Sequence, residues 1–267
     1  MSYETIVYEV DDRIATITFN RPERLNAVNH QMSMELRDAY LRAEADDEVW
    51  TLVVRATGRA FCSGADVEKI PDDGKVPHEG SYLSRFAEWE APQEATPPFR
   101  SMAKPIVVAV NGICCGAGMD LVTTGNISIA AEDATFFDPH VSIGIVSGRE
   151  MVRVARALPI NVAMRMALLG KQERLSAQRA YELGFVTELV PPDRLHARAR
   201  EIAELVNRNA PLAVRGTRLA ILKGLNLPMH EAEILAETFR ERVTRTEDYL
   251  EGPRAFMEKR PPQWQCR

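Results

Sequence analysis

Apolar and polar residues alternate from the start of the chain. Residues 4–10 and 13–19 keep a period of two with Asp11-Asp12 between them, which predicts a β-hairpin. Asn20-Arg21-Pro22 ends it. From Asn29 to Asp46 the period changes: Met32, Leu36, Ala39, Tyr40 and Ala43 recur at helical spacing. Residues 49–55 form a short β-branched run, hence a strand, followed by a loop with Gly58 and Gly64. Residues 71–80 are polar and rich in breakers, which predicts a surface loop. Residues 81–103 have helical character interrupted by Pro92 and Pro97-Pro98. Lys104-Pro105 leads into 106–110, apolar at every position, as a strand buried on both faces would be. Asn111-Gly112 turns the chain, 116–124 predicts a helix, and 127–130 and 135–137 predict short strands. Beyond about residue 147 the pattern is helical except at 185–190. The expected layout is an α/β body over 1–190 and a helical part over 191–267.

Bulk properties narrow the classes. The 267 residues suffice for one domain with a full core, or one with a small helical annex. A net charge of −5 implies no basic face and argues against nucleic acid as a partner. No apolar run approaches the roughly 18 residues of a membrane span. Residues 1–10 alternate and are acidic, unlike a secretory or transit leader, so the expected location is cytoplasmic. Cys62, Cys114, Cys115 and Cys266 have neither disulfide nor zinc spacing and read as reduced, small core residues.

Three glycine-containing segments carry candidate chemistry. Phe61-Cys62-Ser63-Gly64-Ala65-Asp66 follows the strand at 49–55, and Asn111 to Asp120 follows the strand at 106–110. The third is Phe136-Phe137-Asp138-Pro139-His140, leading to Gly144. In the second, a strand ends, small residues follow and a helix begins. The first turn of a helix leaves N–H groups free, small residues admit a ligand to that backbone, and the dipole there favours negative charge. An enolate oxygen is such a charge, and losing one donor to it costs roughly 2.7–4 kcal/mol in rate. A dinucleotide fingerprint fails because Leu121 stands where its third glycine is needed. No P-loop, zincin or nucleophile-elbow motif occurs.

Together and in this order, the segments resemble the enoyl-CoA hydratase/isomerase family, the crotonase superfamily, along nearly the whole chain. Asn20 to Ala27, with the sequence Asn-Arg-Pro-Glu-Arg-Leu-Asn-Ala, is similar to that family's first CoA-contacting loop. Residues 61–66 and 111–120 resemble its two oxyanion loops, and 104–112 its central strand. Residues 175–186 and the tail from Glu251 to Arg260, with Pro262 and Trp264, are similar to its later signatures. The resemblance implies a spiral of ββα turns with a C-terminal helical trimerisation region, and a homotrimer or homohexamer. It implies an acyl-CoA substrate whose thioester oxygen lies between the N–H groups of Ala65 and Ala117. CoA-contacting positions would be Arg24, Leu25, Ala27, Ser63, Gly64, Ala65, Asp66, Val67, Gly116, Phe256 and Lys259. No metal or redox cofactor is implied.

The catalytic positions differ from the family pattern. Hydratases of the family carry a glutamate three residues after the second oxyanion donor, which here is Asp120, and another where this chain has His140. Aspartate is shorter by one methylene, and a displacement of about 1 Å can cost about a hundredfold. Histidine, with a reference pKa of about 6.5, can act as base or acid. An Asp120/His140 pair beside an oxyanion hole could move protons at carbons next to a thioester, as in enoyl-CoA hydration or isomerisation. It could also serve hydrolysis of a thioester or of a C–C bond. A third reading is an acyl-CoA-binding protein without catalysis. Glu150 is a further candidate acid, read alternatively as a carboxylate favoured by a helix dipole. Asp66 reads as a loop cap and Asp138 as a turn former before Pro139. His30, His78, His196 and His230 match no motif and are expected at the surface.

Overall fold

The computed structural model describes residues 3–66 and 102–267. The expectations for 71–80 and most of 81–103 lie outside them, as does Val67. The opening hairpin is β1 (Ile6–Asp11) and β2 (Ile14–Phe19), antiparallel, with Ile6 opposite Phe19. The reversal is made by Asp12 and Arg13, both with left-handed φ, 46° and 63°. Helix α1 (His30–Ala45) begins where the Asn29 side chain accepts the Met32 N–H (2.8 Å). At its other end the Nζ of Lys104 donates to the carbonyls of Ala43 and Asp46. A cation thus satisfies terminal carbonyls at the negative end of the dipole. Lys104 is almost completely buried, and burial lowers its pKa.

The chain then winds between two sheets. Strands β3 (Thr51–Ala56), β5 (Ile106–Val110) and β7 (Ile127–Ala131) enter the first, each followed by a short strand of the second: β4 (Ala60–Cys62), β6 (Ile113–Cys115) and β8 (Thr135–Phe137). With β9 (Leu175–Ser176) and β10 (Glu188–Val190), the sheet orders are β1-β2-β3-β5-β7-β10 and β4-β6-β8-β9. Among the strands of the described residues, only β1–β2 and β8–β9 pair antiparallel. The parallel strands bury both faces, so their alternation disappears into continuous apolar runs. Leu52, Val54, Ile106, Val108 and Ala130 join the main core with Phe61, Phe136 and Phe19. Their neighbours Val53, Val107, Ala109, Ile129 and Ala131 meet Leu195, Ala199, Ile202 and Ala203 of a helix on the other face.

Strands of the second sheet are too short to show a period, and the sequence marks only β8 among them. The strand expected at 185–190 is confined to β10, because Phe185 donates its N–H to Ala180 in closing the preceding helix. The helices are α2 (Ala117–Thr124), α3 (Arg149–Ala157), α4 (Ile160–Leu169), α5 (Ala177–Glu182), α6 (Leu195–Asn207), α7 (Pro211–Gly224), α8 (Met229–Val243) and α9 (Glu247–Glu258). Helix α6 lies over β3, β5 and β7, and His196 on it is partly buried rather than exposed. Arg218 of α7, also buried, joins the last helices to the body through Asn126 Oδ1 (2.7 Å) and the Met102 carbonyl. Among the described residues no helix is long and apolar enough to cross a membrane.

The crossing from β5 to β6 depends on Gly112, whose φ is 53° and whose missing Cβ would lie 2.1 Å from the Arg59 carbonyl oxygen. Gly184 also has a left-handed φ, 75°, but open space around it. Gly184→Ala is therefore expected to cost only the roughly 1–3 kcal/mol of a strained backbone. Gly112→Ala should cost clearly more, because overlap with the Arg59 carbonyl adds to the strain. Thermal or denaturant unfolding of the two variants checks this order.

Candidate active site

The first segment is held from below by Asn26. Its side chain is fully buried, donates to the carbonyls of Thr57 (2.9 Å) and Ala60 (2.7 Å), and accepts the Arg21 N–H (2.8 Å). Leu25 and Asn26 both take left-handed φ, 52° and 54°, which folds the 20–27 loop back onto the segment. Ser63 N–H donates to the Leu25 carbonyl (3.1 Å), Val28 N–H to Gly64 (2.8 Å) and Asp66 N–H to Val28 (3.0 Å). In this parallel bridge the bonds are made by the neighbours of Ala65, so its own N–H faces away from the pairing. The Arg21 guanidinium pairs with Asp66 (3.0 Å) and also reaches the Ala27 carbonyl. Asp66 is thus an ion-pair partner tying the first loop to the segment. Arg24 stands exposed at the end of a short 3-10 turn, while Ala27 is buried.

The second segment runs from β6 through Gly116 into α2. Gly116 has φ 52°, and a methyl on it would come within 3.1 Å of Gly64 Cα and 3.6 Å of His140 Cε1. The two glycine segments therefore touch backbone to backbone, with His140 beside them. Ala117 occupies the first position of α2, where no intrahelical acceptor exists for its N–H. Among the described residues neither the Ala65 nor the Ala117 N–H has an acceptor.

His140 is oriented by Asp138. Its Nδ1 lies 3.0 Å from both Asp138 oxygens, and its backbone N–H donates to Oδ1 (3.0 Å). Ser147 Oγ donates to Oδ2 (2.7 Å). Asp138 is completely buried; burial works to raise its pKa, but the bonds from His140 and Ser147 outweigh it and hold the group below its usual value. The hydrogen bond to Asp138 raises the His140 pKa, partial burial opposes this, and the charges of Asp138 and Glu150 add to the rise. With Nδ1 engaged, Nε2 is the ring nitrogen left for a substrate, and it has no partner among the described residues. Asp138 is therefore more than a turn former: a carboxylate two residues before a histidine across Pro139 is the signal that marks it.

Asp120 lies in the first turn of α2, three residues after Ala117, and is buried. Arg153 of α3 approaches it, Nε to Oδ1, at 3.4 Å. The fully buried Tyr40 is also close: burial raises its pKa, and the charge of Asp120 raises it further. Glu150, in the first turn of α3, acts on His140 through its charge. One helix thus presents a cation to Asp120 and an anion to His140. Arg153 has no local sequence signal, because its partner is far along the chain. Phe256 is 82% exposed and Lys259 is an exposed left-handed cap after α9; neither is brought to the glycine segments among the described residues. Nor do those residues hold any group of three or more His, Cys, Asp or Glu side chains able to hold a metal ion.

A family model described as enoyl-CoA hydratase/isomerase matches residues 9–267. The (E)-benzylidenesuccinyl-CoA hydratase of Thauera aromatica is 30% identical over 96% of this chain and 97% of its own. The 1,2-epoxyphenylacetyl-CoA isomerase of Escherichia coli is 32% identical over 98% of each. A crystal structure of an enoyl-CoA hydratase/isomerase from Mycobacterium paratuberculosis is 71% identical over 100% of both chains and superposes with a TM-score of 0.91. The spiral of paired sheets is thus the crotonase fold, and the chain belongs to the enoyl-CoA hydratase/isomerase family.

Proposed function

We propose that this protein moves protons at the carbons next to a CoA thioester, with His140 as the group that carries them. Among reactions of the family type, shift of an enoyl double bond fits this arrangement best. The carrying observation is the Asp138–His140 pair beside Gly116, with Nε2 open. Neutral His140 would take a proton from Cα of a β,γ-enoyl thioester. The electron pair moves onto the thioester oxygen, giving a dienolate held by the Ala65 and Ala117 N–H groups. The imidazolium then returns a proton to Cγ, leaving the α,β-enoyl thioester. Asp138 keeps the ring in one tautomer and stabilises its charged form. No metal or redox cofactor enters this scheme.

Asp120 favours a second reading, hydration. Its carboxylate follows Ala117 by three residues, and with His140 it could share a water for addition across the double bond. Its engagement with Arg153 is why isomerisation is placed first. Arg24 and its neighbours in the first loop are assigned to CoA, with Phe256 and Lys259 reaching it from a neighbouring subunit. Exposed Leu225, Met229, Phe256 and Met257 support assembly of the C-terminal helices into a trimer or hexamer.

His140→Ala is expected to lower kcat on β,γ- or α,β-enoyl-CoA by roughly 10²–10⁴-fold while CoA thioester binding, followed by calorimetry, persists. Unchanged turnover would remove His140 from the chemistry. No turnover by the wild type on any acyl-CoA, with binding retained, would favour the non-catalytic reading.

The pH profile tests Asp138. A base must be neutral, so activity should rise with pH through the His140 pKa, which lies above the reference 6.5. Asp138→Asn removes the largest cause of that elevation, so the rising limb should move to lower pH, with kcat reduced. A limb that stays in place would assign it to another group.

A further inference from the structure

Between the 3-10 turn that carries His140 and helix α3, the usual distribution of side chains is reversed. Val141, Ile143, Ile145 and Val146 stand exposed. Ser147 instead turns its hydroxyl inward and donates to Oδ2 of the completely buried Asp138 at 2.7 Å. Asp138 Oδ1 accepts the His140 N–H at 3.0 Å, and both carboxylate oxygens lie 3.0 Å from Nδ1. Oδ2 is therefore shared between one hydroxyl and the imidazole. Among the described residues no arginine or lysine pairs with Asp138; its ion-pair partner is His140. The charge of the carboxylate is thus divided among the ring, one backbone N–H and Ser147.

We infer that Ser147 is a positioning residue that sets the pH at which His140 becomes a base: its hydroxyl holds Oδ2 and draws off part of the charge that Asp138 would otherwise present to Nδ1. This rests on the proposed function, since it assumes that His140 carries the proton. Hydrogen bonds to a charged group are among the stronger ones, and in a buried site they compete for the same oxygen. Without the hydroxyl, Oδ2 is left to the ring alone. An imidazolium gains more from that richer acceptor than a neutral ring does, so the charged form is favoured and the base appears only at higher pH. The sense is opposite to that of Asp138→Asn, which removes the charge altogether. The directions at both groups agree. Burial works to raise Asp138, while the bonds from His140 and Ser147 lower it; the bond to Asp138 is the first cause of the rise at His140. Three other groups bear on the pair. Glu150 of α3 adds to the rise at His140 through its charge. Cys115, which feels the charge of Asp138, is a neutral thiol pushed up to about 12, chiefly by burial. Arg174 lies over the Phe137 ring at 4.4 Å and remains charged. Ser147 also precedes Gly148, the N-cap of α3, so its bond pins the start of that helix as well. Ser142 provides the control for such tethering: its Oγ accepts the Lys171 N–H at 2.9 Å and ties the same loop without engaging Asp138.

The experiment compares the wild type with Ser147→Ala, Ser147→Cys, Ser147→Thr and Ser142→Ala, and Glu150→Gln with the double variant Ser147→Ala/Glu150→Gln. In protein labelled with ¹⁵N-histidine, NMR follows the His140 imidazole through its titration, the resonance being identified by its loss in His140→Ala. The pH profile of kcat/KM on an enoyl-CoA that turns over follows the rising limb, and the thermal midpoint follows stability. Ser147→Ala should raise the His140 titration midpoint by roughly 0.5–1 unit and move the limb with it. On the acidic side kcat/KM should then fall about three- to tenfold, and recover at high pH. Ser147→Cys, a weaker donor of similar shape, should shift both in the same direction by less, and remains usable if the alanine variant does not fold. Ser147→Thr, which keeps the hydroxyl, should restore both. Ser142→Ala should lower the thermal midpoint with the titration unmoved, and the shift from Ser147→Ala should persist when Glu150 is neutralised. A His140 midpoint that stays or falls in Ser147→Ala and Ser147→Cys would overturn the inference and leave the proposed function standing. So would an equal shift in Ser142→Ala, or one that vanishes in the Glu150→Gln background, since either would assign it to movement of the loop or of α3. A midpoint that rises while the activity limb stays in place would overturn His140 as the base, and the inference with it.

Discussion

Two peptide backbones in contact set the terms for the whole site. Gly64 and Gly116 approach so closely that a single methyl on Gly116 would fall 3.1 Å from Gly64 Cα. A Cβ at Gly116 would crowd this contact, and at Gly64 the left-handed φ of 96° favours glycine. β4 and β6 run parallel, with Ala60 opposite Ile113 and, after a shift of register, Cys62 opposite Cys114. Their register is in turn fixed by β3 and β5 of the larger sheet, where Val53 pairs with Val107 and Val54 with Val108. The apolar core on both faces of those strands is thus what locates the N–H groups of Ala65 and Ala117. A slip of register would move every core side chain to the wrong face.

Charge is arranged around this neutral backbone site in two separate pairs. Asp138 and His140 form one, with Ser147 completing the carboxylate's bonds. Asp120 and Arg153 form the other. Helix α3 contributes to both, through Glu150 and Arg153. The pairs differ in kind. The first leaves one nitrogen open and adjustable in protonation; the second sets a buried carboxylate against a permanent cation. That asymmetry is the basis for assigning proton transfer to His140 and placing a single-carrier reaction first.

Much of this was legible in the sequence, and the limits have physical causes. The hairpin and α1 show clear periods because each buries one face, and β5 shows as a continuous apolar run because it buries both. The three-residue strands of the second sheet span less than two full alternations, so β4 and β6 left no signal of their own. The two glycine segments were visible through Gly64, Gly116 and Gly118, since close approach demands small residues. His140 and Asp120 were visible by position. Asp138 as a partner for His140 could have been read from its spacing of two residues across Pro139. Arg153 could not, because it acts across 33 residues. Arg24, Phe256 and Lys259 stand exposed.

The most direct test of the central claim is mass spectrometry of enoyl-CoA thioesters incubated with the protein in D₂O and, separately, in H₂¹⁸O. The account predicts that a β,γ-enoyl thioester becomes its α,β isomer with deuterium at Cγ and no added oxygen. Label from ¹⁸O on the chain would transfer the assignment to hydration by Asp120 with His140. Release of free CoA and labelled acid, or neither a moved double bond nor isotope exchange in any thioester that binds, would contradict proton transfer between carbons by His140.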